Sequence, residues 1–354
     1  MLDMLLYNIT LVFLVVFTLL LVGFRFWRGA RFDEFSKDQT LPLRGLLVLF
    51  VVVGHCDTMM PGSVLLSMLH LGTPAVSVFL FLSGYGLVKL VDRTDGRIGL
   101  VFFVHSFVKL FVPFAVAVLL WYVYLLCSGK QCETAIYWFP TTGGGTFLPH
   151  AWYVYVQLLF YVMFGICVLL LRGRRGIWMA VGGVAAYYVF MRYFSGWRMY
   201  WSYTSLGFSA GLLFAYYEDV VLKFARQYGW VCCIVTAAVF LLSFVGSRAM
   251  KCPISLDLRL TLVGPVVGLL LVSGITWWTP KRLGKIAYEV YLLHCIPKDY
   301  FLGMTESHVI YCFMVVVSLI ALAGVVHELN KKLMDIVLRG LALAGVGLKK
   351  KAHT

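Results

Sequence analysis

Residues 102–126 read FFVHSFVKLFVPFAVAVLLWYVYLL, and this stretch decides the class of fold. Among its residues, Lys109 is the single Lys, Arg, Asp or Glu. A helix needs about 20 apolar residues to cross roughly 30 Å of hydrocarbon, so this run predicts a transmembrane helix. Apolar and polar residues do not alternate here as they do in the strands of a membrane barrel, which favours helices as the spanning elements.

The whole chain shares this apolar composition. Of its 354 residues, 61% are hydrophobic and 13% are Asp, Glu, Lys or Arg. Soluble domains are about 45–50% apolar and about 25% charged, so soluble, collagenous, disordered and secreted disulfide-rich classes are excluded. We predict an all-α, polytopic integral membrane bundle of about eleven transmembrane helices. Their predicted positions are 5–24, 43–60, 72–90, 102–126, 150–171, 176–194, 201–217, 229–247, 257–276, 284–303 and 306–327.

The charge distribution predicts the topology. The net charge is +14, and most of the 30 Lys and Arg residues fall in inside segments if the loop after the first helix is cytoplasmic. Positive residues concentrate in cytoplasmic loops, so the N-terminus is predicted to face out and the C-terminus in, and no nucleic-acid partner is expected. The first helix has no positive charge before its apolar run and is interpreted as a retained span rather than a signal peptide.

Three regions follow from this topology. Residues 1–40 are predicted to form an additional N-terminal transmembrane helix with a basic cytoplasmic loop, and residues 41–329 the main membrane domain. Residues 330–354 combine apolar and basic side chains, which is typical of an amphipathic helix lying on the anionic inner leaflet.

Ionisable side chains inside apolar segments are the candidate functional groups, because a charge in lipid is costly. They include His55, Lys109, Glu289 and His294. Arg44 precedes His55 by eleven residues, about three helical turns and about 16 Å, so both side chains share one face and His55 lies near mid-bilayer. A neutral imidazole accepts a proton from a hydroxyl near pH 7 and also accepts an acyl group. His294 is predicted at a similar depth to His55, which favours a polar cavity shared by the two histidines.

Several features leave alternatives open. Lys109 either binds the phosphates of a nucleotide or coenzyme A, or extends its charge to the membrane surface. The outer loop from Cys127 to Pro149 is rich in glycine and aromatic residues, and it either caps a groove for a sugar or lipid headgroup or anchors the protein at the interface. The nine cysteines include no Cys-x-x-Cys pair, so no metal is expected, whereas Cys127 and Cys132 are candidates for a disulfide.

Four motifs in order resemble the acyltransferase type 3 family of polytopic membrane proteins. LRGLLVLFVVVGH at 43–55 is similar to the family's first core helix, in which ten residues separate an arginine from a histidine. FLFLSGY at 79–85 resembles its aromatic-x-x-Ser-Gly-Tyr segment. The pairs at 152–153 and 160–161 resemble its central Trp-Tyr and Phe-Tyr, and the stretch 283–294 resembles its late tyrosine and histidine signature. The resemblance covers about residues 40–330.

The resemblance implies transfer of an acyl group, usually acetyl, from cytoplasmic acyl-CoA to a hydroxyl of a cell-surface polysaccharide or lipid-linked glycan. It implies a prokaryotic inner membrane, contact with membrane lipids, and no permanently bound cofactor. His55 is expected to be the base or acyl relay, and Arg44 its partner. Tyrosines and His294 are expected to orient the sugar and stabilise the tetrahedral oxyanion. The residues expected to bind the substrate or acyl-CoA are Lys109, Ser83, Tyr85, Trp152, Tyr161, Tyr291 and His294.

The chain also departs from the family pattern. Gln157 stands where some members have glutamate, Ala287 stands for the serine of the late signature, and His327-Glu328 lacks the usual closing proline. A glycolipid or small-molecule transporter or flippase without acyl transfer is the alternative function, although no inverted repeat or pair of Gly/Pro-broken helices supports it. A structural subunit and a different membrane acyltransferase family are further alternatives.

Overall fold

A computed structural model describes residues 36–57, 72–93, 100–130, 140, 144–171, 173–228, 231, 253–272 and 279–343. Every regular element among these residues is helical, which confirms the predicted all-α class for this part of the chain. The helices are α1 (Lys37–Asp57), α2 (Gly72–Arg93), α3 (Leu100–Cys127), α4 (Trp152–Leu171), α5 (Arg174–Tyr193), α6 (Leu206–Tyr216), α7 (218–228), α8 (Pro253–Val272), α9 (Lys281–Lys285), α10 (Ala287–Leu293), α11 (Cys295–Tyr300) and α12 (His308–Leu343).

Five helices of the described residues are long and apolar enough to cross a membrane. Each overlaps a segment that the sequence predicts to be spanning. The predicted helix at 5–24 and nearly all of the one at 229–247 lie outside the described residues, so the count of about eleven and the orientation of the termini stay predictions. The five helices are Asp38–Cys56, Gly72–Arg93, His105–Cys127, Trp152–Leu171 and His308–Ala342.

Three segments differ from the sequence-based prediction. The helix predicted over 201–217 is shorter, because residues 202–205 form turns and α6 begins only at Leu206. The single helix predicted over 284–303 is divided into α9, α10 and α11. Ile286 leaves helical geometry with φ −96° and ψ 7°, and Pro297 has no N–H to donate to the carbonyl four residues earlier. The last helix, α12, runs for 36 residues to Leu343. Residues 330–343 therefore belong to the same helix as 308–329 and do not begin a separate one, whereas the position of this tail on the inner leaflet stays a prediction.

The described helices belong to two compact units. Among the described residues, those within 1–89 and 202–285 form the first unit, and those within 90–201 and 286–343 form the second. In the first unit, α2 and α6 meet backbone to backbone, because Gly84 lies against the carbonyl of Phe208 and Gly211 lies against that of Phe81. No Cβ fits at either glycine, and small residues of this kind allow close crossings of membrane helices.

Glycine also positions α8 and α1 within the first unit. The ring of Phe81 lies against Gly264 and Gly268 of α8, where an added Cβ would come within 2.7 and 2.8 Å of ring atoms. Gly284 of α9 lies directly against the carbonyl of Leu41 on α1. This contact fixes the helix that carries Arg44 and His55.

In the second unit, α3 packs against α4, α10 and α12, and α10 and α11 also pack against α12. Helix α5 packs along α4, where Gly176 contacts the backbone of Val168. The fully buried Tyr311 of α12 donates a hydrogen bond of 2.7 Å to the carbonyl of Lys298 on α11. These contacts hold the short helices that follow residue 286 in a defined position.

Candidate functional site

Arg44 and His55 lie on α1 in the first unit. Because α1 is a continuous helix from Lys37 to Asp57, the two side chains keep their spacing of about three turns and about 16 Å on one face. His55 is half-buried in the last turn, and the Nε atom of the half-buried Arg44 is enclosed. One helix face therefore presents an imidazole and a guanidinium.

Tyr85 and Ser83 lie on α2 in the same unit. The Tyr85 hydroxyl donates a hydrogen bond of 2.5 Å to Glu218 Oε1, and the Lys89 ammonium lies 2.7 Å from Glu218 Oε2. Glu218 is buried, so its charge is balanced by Lys89 and its oxygens are satisfied by both partners. Tyr85, predicted to bind substrate, thus uses its hydroxyl to hold this ion pair. Ser83 is half-buried, two residues before Tyr85 on α2.

His294 and Tyr291 lie together in the second unit. His294 is 1% exposed, and its Nδ1 lies 2.5 Å from the Tyr291 carbonyl. A carbonyl oxygen only accepts hydrogen bonds, so Nδ1 carries the proton and Nε2 is the acceptor nitrogen. Tyr291 in turn donates a hydrogen bond of 2.6 Å to the carbonyl of His150, whose ring centroid lies 5.3 Å from that of His294. The two histidines and Tyr291 form one polar group.

Lys298 of α11 extends this group. Its side chain is 3% exposed, and its Nζ lies 3.2 Å from His150 Nε2. An ammonium only donates, so His150 Nε2 accepts and the ring carries its proton on Nδ1. His150 has a backbone φ of 65°, in the left-handed region that residues other than glycine rarely adopt. We call His150, His294 and Lys298 the basic cluster.

The described end of the glycine-rich outer loop is held by aromatic side chains. Gly144, with φ 81°, accepts hydrogen bonds of 3.0 Å from Trp201 Nε1 and 3.3 Å from the Tyr200 hydroxyl. The half-buried Trp152 lies 5.4 Å, centroid to centroid, from Tyr200. Trp152 therefore belongs to the aromatic support of this loop. Cys127 is exposed, and Cys132 lies outside the described residues.

Tyr161 on α4 and Lys109 on α3 also belong to the second unit. Tyr161 lines an apolar cavity of about 550 Å³ between α3, α4 and α12. Lys109 is exposed on α3 and is not part of the cavity wall. The residues that line this cavity are Ser106, Phe107, Val108, Phe111, Val112, Leu158, Tyr161, Val162, Val337 and Leu341.

Glu289 has ionic and polar partners of its own. Its buried Oε1 lies 2.9 Å from His327 Nδ1 and accepts a hydrogen bond of 3.2 Å from Asn330 Nδ2. Asn330 is fully buried on α12. Glu289 therefore joins α10, the helix that also carries Tyr291, to α12.

The sequence reasoning did not identify several charged or polar residues of these groups, among them Glu218, His150 and Lys298. Glu218 comes one residue after the predicted end of a helix at 217, and His150 lies at the predicted start of another. Lys298 follows His294 by four residues, the spacing that places two side chains on one helical face. That spacing was the available signal, whereas the partners of Glu218 and His150 are distant in sequence.

Comparison with known proteins agrees with the resemblance. The family model of the acyltransferase type 3 proteins, described as an acyltransferase domain, matches residues 43–327. No curated protein and no solved structure matches the chain. The matched residues form most of the chain and include all the predicted site residues, from Arg44 to His294. The chain therefore belongs to the acyltransferase type 3 family.

Proposed function

We propose that this protein transfers an acetyl group from cytoplasmic acetyl-CoA to a hydroxyl of a cell-surface polysaccharide or lipid-linked glycan. Membership of the family and the apolar helices support a membrane acyltransferase in general. The observation that carries the proposal is the pairing of Arg44 and His55 on one face of α1 within the matched residues. We propose a prokaryotic inner membrane as its location.

His55 acts as the general base in this proposal. Its neutral imidazole takes the proton of the acceptor hydroxyl, and the oxygen attacks the carbonyl carbon of the thioester. The tetrahedral oxyanion then collapses, the carbon–sulfur bond breaks, and coenzyme A leaves as a thiol with the proton from the imidazolium. In the relay form, His55 first takes the acyl group itself and then passes it to the acceptor. Arg44 lies about three turns from His55, too far to contact the same reacting carbon, and it binds the negative charge of the donor's phosphates instead.

The other predicted residues bind the two substrates. Nδ1 of His294 is bound to the Tyr291 carbonyl, so Nε2, which lies 3.8 Å from Cys295 Sγ, is the ring nitrogen proposed to accept a hydrogen bond from a sugar hydroxyl. Trp152, Tyr161 and Ser83 contribute aromatic surface and hydroxyl groups, and Tyr85 contributes its ring, since its hydroxyl holds Glu218. Lys109 binds a phosphate of the coenzyme through its exposed ammonium.

The test uses membranes that contain equal amounts of the wild type, His55→Ala or His308→Ala, supplied with radiolabelled acetyl-CoA. His308 is a half-buried histidine at the start of α12 and serves as the matched control. Label in glycolipid and polysaccharide and release of free coenzyme A are measured together. General acid–base catalysis contributes about 10²–10⁴-fold, so we expect a loss of this size in His55→Ala and wild-type transfer in His308→Ala.

Two results would contradict the proposal in different ways. Near-normal transfer by a folded His55→Ala protein would remove His55 as base or relay. Absence of both label and coenzyme A release with acetyl-CoA and succinyl-CoA, in the presence of native acceptor lipids, would argue against acyl transfer. Movement of a glycolipid without thioester consumption would identify the transporter alternative.

A further inference from the structure

Lys298 is a buried cation in the second unit. Its side chain is 3% exposed, and its Nζ has one polar contact among the described residues, 3.2 Å from His150 Nε2. Lysine is almost never fully buried unless it is paired with a negative group. An imidazole carries no negative charge, so the His150 ring that contacts Lys298 does not balance the charge of an ammonium. The positive charge of Lys298 is therefore balanced by no carboxylate in the part of the chain that the structure describes.

The neighbouring carboxylates are used elsewhere. Asp299 accepts hydrogen bonds from the Tyr124 hydroxyl at 2.7 Å and from the Lys130 ammonium. Glu289 is bound to His327 and Asn330. Neither carboxylate lies within ion-pair distance of Lys298, and both already have cationic or polar partners.

The surroundings hold Lys298 and His150 in place. Tyr311 donates to the Lys298 carbonyl at 2.7 Å, and Tyr291 donates to the His150 carbonyl at 2.6 Å. His150 is half-buried, so one side of the pair reaches the surface of the second unit. An ammonium has three N–H groups, and a single acceptor occupies one of them. Lys298 thus has two N–H donors and a positive charge beyond its contact with His150 among the described residues, and hydrogen bonds to the two backbone carbonyls hold both residues in place.

We infer that Lys298, positioned by His150, is a binding site for an anionic oxygen group, a carboxylate or a phosphate, on the acceptor sugar. A buried ammonium that gains such a group forms a charge-assisted hydrogen bond, which is stronger than a neutral one. The assignment of the anion to the acceptor sugar rests on the proposed function. The existence of an anion-binding site at Lys298 does not depend on it. The inference makes the acceptor an acidic glycan and not a neutral one.

The test measures ligand binding to the purified full-length protein in a non-ionic detergent. Thermal unfolding is followed by tryptophan fluorescence with sodium glucuronate, glucose 1-phosphate or glucose, at constant ionic strength and without any acyl donor. The variants are Lys298→Met and, as the matched control, Lys332→Met, which changes an exposed lysine of the same unit. A negative result here leaves the acetyl-transfer test unaffected, so the failures of the two proposals are distinguishable.

We expect one of the two anions to raise the Tm of the wild type by about 3–5 °C at about 100 times its Kd, and glucose to have no effect. A response to glucuronate identifies a carboxylate, and a response to glucose 1-phosphate identifies a phosphate. Lys298→Met should unfold at a higher temperature than the ligand-free wild type, because it removes an unbalanced buried charge, and should lose the response. Lys332→Met should retain it.

The inference is overturned if neither anion raises the wild-type Tm more than glucose does. It is also overturned if Lys298→Met responds to the anion as strongly as the wild type. If Lys298→Met does not fold, Lys298→Gln replaces it, since glutamine keeps a donor for His150 without the charge. A response retained in Lys298→Gln would equally refute a role for the charge.

Discussion

Replacement of Gly176 by alanine tests the contact between α4 and α5. An ideal Cβ at Gly176 would lie 2.6 Å from Val168 Cα and 2.8 Å from the Cys167 carbonyl oxygen. Carbon atoms in van der Waals contact are about 3.5–4.0 Å apart, so the two backbones must separate by about 1 Å. We expect Gly176→Ala to lower the free energy of unfolding by about 1–3 kcal/mol, the usual cost of overpacking. The displaced helix α4 carries Trp152 and Tyr161.

Two glycines of the same helix provide the controls. Gly182 is exposed, and an added Cβ meets no atom within 4 Å, so Gly182→Ala should stabilise the protein by about 0.5–1 kcal/mol through the greater helix propensity of alanine. At Gly183 the nearest atom is the Met163 sulfur at 2.6 Å. A methionine side chain is flexible and moves easily, so Gly183→Ala should fall between the other two variants.

The assay is denaturant and thermal unfolding of the purified protein in one detergent, with all variants measured together. Since all three substitutions bring the same change in helix propensity, their differences report the contacts alone. The expected order of stability is Gly182→Ala, then Gly183→Ala, then Gly176→Ala. If Gly176→Ala is as stable as Gly182→Ala, the backbone contact between α4 and α5 is not as close as the structure shows, and the reasoning fails.

The two buried carboxylates give further predictions. Tyr85→Phe should cost about 1.5–3 kcal/mol, because it removes a hydrogen bond to the charged Glu218. In a Glu218→Gln background, where the acceptor is neutral, the loss measured by chemical unfolding should fall to about 1 kcal/mol. His327→Leu should cost about 1–3 kcal/mol, because it removes a hydrogen-bond partner of the buried Glu289 carboxylate. The double variant with Glu289→Leu should recover much of this loss, and a double variant less stable than His327→Leu would contradict the account.

Helical class and membrane character followed directly from the sequence. In lipid the backbone has no water to bond to, so a long apolar run has to satisfy its N–H and C=O groups within a helix. This is why the run at 102–126 sufficed to predict α3, and why the spacing of Arg44 and His55 predicted their common face. The four motifs also predicted the family, since motif order and spacing are properties of the chain alone.

Local geometry was less predictable where apolar composition continued through a break. The segment 284–303 is apolar enough for one helix, yet the structure divides it at Ile286 and before Pro297. A proline near a helix start is compatible with a continuing helix or with a break, and packing against α12 decides between them. The end of α12 was misplaced for the opposite reason, because charged residues beyond 330 were interpreted as the start of a new element.

By itself, the sequence determined the all-helical class, the positions of five spanning helices, and the placement of an arginine and a histidine on one helix face. These depend on residues within a few turns of one another. Only the tertiary structure decided the partners of the buried polar groups: Tyr85 and Glu218 are 133 residues apart, and His150 and Lys298 are 148 apart. A pairing across such separations depends on how the helices pack, and many side chains of the same type were available to each partner.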